Sequence, residues 1–178
     1  MTNSFGPNRQ SIRLPNYDYA SNGAYYVTLC TQNRSLLFGQ VSDATMHLSP
    51  LGRMVHKAWH EMPQFDPRIS LDEHIVMPNH LHGIILIDRY SGSDPHGGRG
   101  WDPAPTIPFP DIIGRFKSWT TYQYQNNAEK WGWAVIDRRL WQRNYYDHIV
   151  RDDDDLNRIR EYIRDNPKNW ETDPENQK

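Results

Sequence analysis

The sequence predicts an α+β domain, an antiparallel sheet with helices packed on it, and three observations carry that expectation. Residues 24–31 and 80–87 are rich in β-branched, aliphatic and aromatic side chains and read as strands. Residues 49–63 repeat their apolar side chains at helical spacing. The predicted elements follow one another as two strands, helix, two strands, helix, strand, helix, an order that layers helices onto one sheet. The length of 178 residues is that of one domain with room for a real core, and no internal repeat is visible.

Residues 1–22 are polar, include Arg9 and Arg13, and read as an extended N-terminal arm without the apolar run of a secretory leader. The turn pair Asn22-Gly23 opens the first strand, and residues 37–47 hold the next. Ser49 followed by Pro50 is a helix start, a cap residue with proline at the first helical position. Leu51, Met54, Val55, Ala58, Trp59 and Met62 then form one apolar stripe that stops at Pro63. Residues 68–77 and 80–87 are strands joined by a Pro78-Asn79 turn. The run Ile84-Ile85-Leu86-Ile87 is apolar on both faces, as in a central strand.

Glycine and proline make up nine of the 21 residues 90–110, which marks a mobile loop. Asp111 caps a helix over 111–127, with Ile112, Ile113, Phe116, Trp119 and Tyr124 inward. A strand over 145–151 precedes a last helix that starts at the four aspartates 152–155. Leu156, Ile159 and Ile163 are its stripe, and Pro167 ends it. The folded domain thus spans 23–170, and residues 171–178 form a polar, frayed tail.

Composition excludes several classes. The net charge is −2 and the mean hydropathy −0.88, so no strong overall field points to duplex DNA or an anionic membrane. No stretch approaches the ~20 apolar residues that span a bilayer. A single cysteine, Cys30, rules out an intramolecular disulfide and a multi-cysteine zinc site. A cytoplasmic protein is the default expectation. Aromatic residues reach 12%, a surplus that serves either core or base-stacking surface.

Two motifs carry chemistry. In His80-Leu81-His82, side chains alternate across a strand, so both imidazoles project from one face and can hold a divalent metal. Taken alone, the pair also fits ordinary structural histidines. On the last helix Tyr162 and Asn166 are four residues apart and share one flank, which sets a phenol beside an amide oxygen able to coordinate a metal. Alone, they read equally as a boundary tyrosine and a terminal asparagine.

The two motifs sit within a longer series. It comprises Ser11-Ile-Arg-Leu-Pro-Asn-Tyr-Asp-Tyr, Ala24-Tyr-Tyr-Val-Thr-Leu-Cys-Thr-Gln-Asn-Arg, Met77-Pro-Asn-His-Leu-His-Gly, Ile113-Gly-Arg-Phe-Lys-Ser, Trp141-Gln-Arg-Asn-Tyr-Tyr-Asp-His and Tyr162-Ile-Arg-Asp-Asn-Pro. In these stretches, which span roughly residues 11–170, the chain resembles the HUH-type single-tyrosine transposases of the insertion sequence 200-like group. Within that group it is most similar to the REP-associated tyrosine transposases.

The resemblance implies a ferredoxin-like HUH fold and a metal-dependent single-stranded DNA endonuclease and strand transferase. It assigns His80 and His82 as metal ligands and Tyr162 as nucleophile. Asn166 becomes the further ligand, at a position where many relatives outside the REP-associated branch have Gln. The implied cofactor is one Mg²⁺ or Mn²⁺, and the implied substrate a REP palindrome folded as a hairpin with a single-stranded tag. Cleavage would leave a 5′-phosphotyrosine and a free 3′-OH. Related transposases exchange the tyrosine helix in dimers, whereas the REP-associated branch works as monomers, so a monomer is expected and a dimer stays open. A free phenol with a pKa near ~10 is a poor nucleophile at neutral pH, and the metal supplies the activation.

Arg138, Arg139, Arg143 and Arg151 cluster with Trp141, Tyr145, Tyr146 and His148, an interleaving of cations and aromatics that suits a single strand. Arg115, Lys117, Arg9 and Arg13 could add to that surface. Arg139 and Arg143 could instead pair with Asp137 or Asp147, and several of the aromatics belong to the core. His56 and His60 have metal-compatible spacing, but they lie with Arg53 and Lys57 opposite the apolar stripe and read as a solvated face. Two other readings of the whole chain are a non-cleaving module that binds structured single-stranded DNA or RNA, and a phosphoesterase that uses water as nucleophile.

Overall fold

The structure, a computed structural model, describes residues 18–19, 21–88, 107–133 and 139–176. The expected N-terminal arm and mobile loop fall mostly outside these residues. Four strands, β1 (Gly23–Cys30), β4 (Ile69–Val76), β5 (His80–Ile87) and β6 (Tyr146–Ile149), form one antiparallel sheet in the order β4-β5-β1-β6. The helices are α1 (Pro50–His60), the short α2 (Met62–Phe65), α3 (Phe109–Trp131) and α4 (Asp153–Asp165). With α1 between β1 and β4, and α3 between β5 and β6, the framework is the βαββαβ arrangement of a ferredoxin-like domain. The α+β expectation holds.

Strand alternation divides the sheet into two apolar faces. Tyr25, Val27, Leu29, Leu81, Ile85 and Ile87 face α1 and α3 and build the larger core with Val55, Trp59, Ile113 and Phe116. Tyr26 and Ile84 face the other way and meet Ile163 of α4, with Leu156 and Ile159 beside it. β5 is central, as its two-sided apolar run predicts, and it separates the two clusters. Gly83 on β5 permits the closest approach in the core. A Cβ there would lie 2.3 Å from the Trp59 ring, so only glycine lets the indole lie on the strand.

Four local expectations change. Residues 37–47 lead not into one strand but into a hairpin of β2 (Gly39–Ser42) and β3 (Thr45–Leu48), a separate two-stranded sheet. α3 begins before Asp111, at Phe109 with Pro108 as the cap residue, because Pro110 is tolerated in the first turn, where its missing N–H costs nothing. It runs past residue 127 to Trp131 and stops where Gly132 adopts a left-handed conformation. Trp119, expected inward, is exposed on α3 beside Phe65, and the inward stripe passes through Thr120 instead.

α4 starts as expected. Asp152 is the N-cap, its side chain accepting from the Asp155 N–H at 2.8 Å, and Asp153, Asp154 and Asp155 fill the first turn. Across its length α4 is tied to β4 by Arg160, which makes a two-pronged contact with Asp72 at 2.8 and 2.6 Å, and by Arg164 on Glu73. The guanidinium of Arg160 holds the Asp72 carboxyl below its ordinary range. This geometry fixes the rotation of α4 over the sheet.

Candidate active site and metal centre

The Met77–His80 backbone contact and the β1 pairing fix β5 so that His80 and His82 point to the α4 face, with Leu81 in the opposite core. Their ring centroids are 4.3 Å apart, and the residues are 0% and 1% exposed. Burial favours the neutral rings. It brings His80 down to about 4, against the opposing pull of Asp173 and Glu175. Burial, and then the neighbouring His80, pushes His82 well below its ordinary value.

The hydrogen bonds around the rings orient both and fix the free nitrogen of His80. Asn79 spends its amide N–H groups on the Arg34 and Glu175 carbonyls at 3.3 and 2.8 Å. Its Oδ1 therefore faces His80 Nδ1, 2.8 Å away, and must accept from it. That leaves the His80 Nε2 lone pair, which is buried with no hydrogen-bond partner. On His82, Nδ1 lies 2.8 Å from the Tyr26 hydroxyl and 2.9 Å from Thr28 Oγ1. A cation on Nε2 would require Nδ1 to carry the proton, which the Thr28 oxygen can accept. Such outer hydrogen bonds are the usual means of orienting metal-binding imidazoles.

Asn166 completes the set. Its backbone stays helical (φ −56, ψ −42), which carries it one turn beyond Tyr162 and into the interior at 1% exposure. Its Nδ2 donates to Asp173 Oδ2 at 2.6 Å, and its Oδ1 has no partner. Only a protonated His80 could donate to Asn166, and the neutral ring leaves acceptor facing acceptor. Each buried acceptor left unmade costs about 1–3 kcal/mol. A divalent cation would satisfy both. His80, His82 and Asp173 can also bring three ligand atoms within 4.8 Å of one another, so nitrogen and oxygen donors converge there.

The Tyr162 phenol reaches this group from α4. Its oxygen lies 3.4 Å from His82 Nε2, and it is 43% exposed at a cleft of about 450 Å³. Tyr26, Tyr146, Arg158 and Glu175 line the same cleft. Partial burial, then the charges of Asp173 and Glu175, push the phenol up to about 12.

Asp173 and Glu175 are not legible in the sequence as site residues. Where a frayed tail is expected, residues 170–172 form a 3-10 turn that buries Asp173. Glu175 is then held by Cys30 Sγ, which donates to it at 3.1 Å, and by an ion pair with Arg34. A run of polar residues without periodicity gives no signal for such docking. Tyr26, Thr28 and Asn79 are also unannounced, although the β1–β5 register, with Thr28 opposite His82, brings two of them to the ring.

The expected nucleic-acid residues divide into groups. Arg139, Arg143, Lys117 and Tyr145 line one groove of about 520 Å³, together with the exposed Tyr122. Lys117 is already engaged there, its Nζ donating to the Gln142 and Arg143 carbonyls at 2.5 and 3.0 Å, and burial lowers it to about 8. Trp141 also borders the groove but belongs to the core. It is 3% exposed, packs on Phe38 and Phe116, and donates its indole N–H to Thr120 at 2.8 Å, which leaves no face for a base. His148 is paired with Asp155 at 2.7 Å, and Arg115 lies apart, beside Phe65 and Trp119. Arg151 is exposed at the start of α4, while Arg9, Arg13 and Arg138 lie outside the described residues.

Comparison with known proteins adds to this geometry. No family model matches the chain. An uncharacterized protein of Haemophilus influenzae (strain ATCC 51907 / DSM 11121 / KW20 / Rd) is 39% identical over 177 residues, covering 93% of this chain and 91% of that protein. Among solved structures, a REP-associated tyrosine transposase bound to a REP hairpin superposes with a TM-score of 0.56 at 17% identity. The match covers 83% of this chain and 68% of that one. Among the described residues no helix is long and apolar enough to cross a membrane. The chain thus belongs to one family with the Haemophilus influenzae protein and has the fold of a REP-associated tyrosine transposase.

Proposed function

We propose that this protein is a metal-dependent single-stranded DNA endonuclease and strand transferase that acts on REP-type hairpins through Tyr162. The observation that carries the reading is the phenol oxygen 3.4 Å from His82 Nε2, beside the two unpartnered acceptors His80 Nε2 and Asn166 Oδ1. The fold shared with a transposase bound to a REP hairpin supports the substrate class.

His80, His82 and Asn166 would hold one Mg²⁺ or Mn²⁺, with Asp173 beside them. The cation would polarise the scissile phosphate and offset the charge that builds on it during transfer. Tyr162 attacks phosphorus, the bond to the 3′ oxygen breaks, and the DNA 5′ end remains on the tyrosine. The resting phenol is protonated, and the carboxylates of Asp173 and Glu175, whose charges bear on it, are the candidates to take its proton. The phosphotyrosine keeps the energy of the phosphodiester, so a second 3′-OH can reverse the step without ATP. Arg158, four residues before Tyr162 on the cleft wall, is placed to meet a phosphate, and Tyr146 to stack on a base. Arg139 and Arg143, in the groove along α3, would carry the strand further. Because the phenol and the histidine pair meet within one chain, the site supports action as a monomer.

The test is incubation of the protein with a REP-type hairpin and Mn²⁺, followed by a denaturing gel. A covalent protein–DNA adduct that is absent in Tyr162→Phe is expected. Hairpin binding without any adduct would point to a non-cleaving module, and hydrolysis that persists in Tyr162→Phe to a water nucleophile.

A further inference from the structure

The opposite face of the sheet carries a second group of imidazoles. His56 and His60 are one turn apart on α1, and His74 lies on β4, paired with Gly83 of β5. They meet because Trp59 lies on Gly83, which draws α1 down onto the strands, with His74 stacked beside the indole at 6.1 Å. Ring centroids are 4.6 Å apart for His56 and His60, 5.2 Å for His56 and His74, and 4.6 Å for His60 and His74. One nitrogen from each ring can be chosen so that all three lie within 4.8 Å of one another.

Three imidazoles in mutual contact do not by themselves call for a ligand, but His74 adds a second observation. Its Nε2 is buried and has no hydrogen-bond partner. A buried ring nitrogen with no hydrogen-bond partner, set against two further imidazoles, is a donor that a metal ion would satisfy. The His60 side is open to solvent, which leaves room for water at a fourth position.

We propose that His56, His60 and His74 form a second metal site, for a borderline transition-metal cation such as Zn²⁺, bound by three imidazole nitrogens and a water. The donor set decides the class of ion. Three neutral nitrogens with no carboxylate among them suit Zn²⁺ and its neighbours and disfavour Mg²⁺, which takes oxygen ligands. The bound ion would join α1 to β4 beside the register shift between Leu71 and His74. On the reverse side of that segment Asp72 and Glu73 hold α4, so the clamp would brace the strand on which the tyrosine helix is seated.

The experiment counts bound metal and needs no turnover, so its outcome is separate from that of the Tyr162 chemistry. Tag-free protein, stripped with a chelator, is titrated with Zn²⁺ against a chromophoric competitor, alongside His60→Ala. The exposed His60 can be truncated without opening a cavity. The expected result is that His60→Ala loses one equivalent of Zn²⁺, or binds it more than about 100-fold more weakly, beyond the cost of an outer-shell partner. The same difference is expected in an Asn166→Ala background, where the first site is impaired. An equal number of equivalents at equal affinity in the wild type and His60→Ala would overturn the proposal.

Discussion

Two histidine clusters lie on opposite faces of the same strands, and their surroundings differ. In front, His80 and His82 are sealed from solvent, each ring is fixed by a named hydrogen bond, and oxygen donors from α4 and the C-terminal turn converge on them. Behind, His56, His60 and His74 are partly open, one nitrogen is buried without a partner, and among the described residues no carboxylate joins the cluster. The front site has a phenol within reach, and the rear one has none among the described residues. The contrast teaches that histidine count does not define chemistry. On the proposed reading, a phenol beside mixed donors suits phosphoryl transfer, whereas nitrogen alone suits a structural ion.

The largest expected effect isolates the front site. Tyr162→Phe should reduce adduct formation by at least on the order of 10³-fold, measured by single-turnover gel assay, because the attacking oxygen is gone. Far-UV circular dichroism and the Zn²⁺ stoichiometry should be unchanged, and a variant that lost both would erase the distinction between the faces. Next comes Asp173→Asn, which removes the carboxylate that orients Asn166. Mn²⁺ affinity at the front site should fall by about 10–100-fold, read by calorimetric titration, with the rear site unaffected.

Gly83→Ala tests what the two clusters share. The added methyl would press on Trp59 and should destabilise the fold by about 1–3 kcal/mol, seen as a lower denaturant midpoint. Both sites should weaken together, since β5 carries one and packs the helix of the other. Acid should act on both faces as well. Burial lowers His74 and His80 to about 4 from 6.5, and lowers His82 well below its ordinary value. Between those values the unfolded chain binds protons that the folded one does not, so stability should fall as pH drops from about 6.5 toward 4. A thermal midpoint that stays flat across that window in chelator-treated protein would contradict the neutral rings. The smallest effect is that of His60→Ala without metal. An exposed side chain should cost no more than about 0.5 kcal/mol, so any larger loss would assign the rear cluster a packing role instead.

Much of the framework is legible in the residues. β1, β4, β5 and α1 follow from period and punctuation within a residue or two at each end. The β2–β3 hairpin is not, because its two-residue turn is Asp43-Ala44, both at positive φ (50 and 54), where Asn-Gly or Asp-Gly would have given the signal. The site is legible wherever chemistry and periodicity coincide, as in His80, His82, Tyr162 and Asn166. It is hidden where a polar side chain is buried by a segment of no period, as with Asp173. Trp141 shows the reverse error. Its basic neighbours suggest a stacking surface, yet the isolated bridge between Thr31 and Trp141 draws it into the core.

The amino-acid order alone determined which side chains share a face, because strand and helix periods are set by backbone geometry and act over a few residues. It therefore paired His80 with His82, and Tyr162 with Asn166. Only the tertiary structure decided which faces meet. α4 comes down on His82 because Arg160 and Arg164 are held by Asp72 and Glu73 of a distant strand. Likewise His74 reaches His56 and His60 because Gly83 makes room for Trp59. Contacts between residues far apart in the chain depend on packing and charge pairing that no local period encodes.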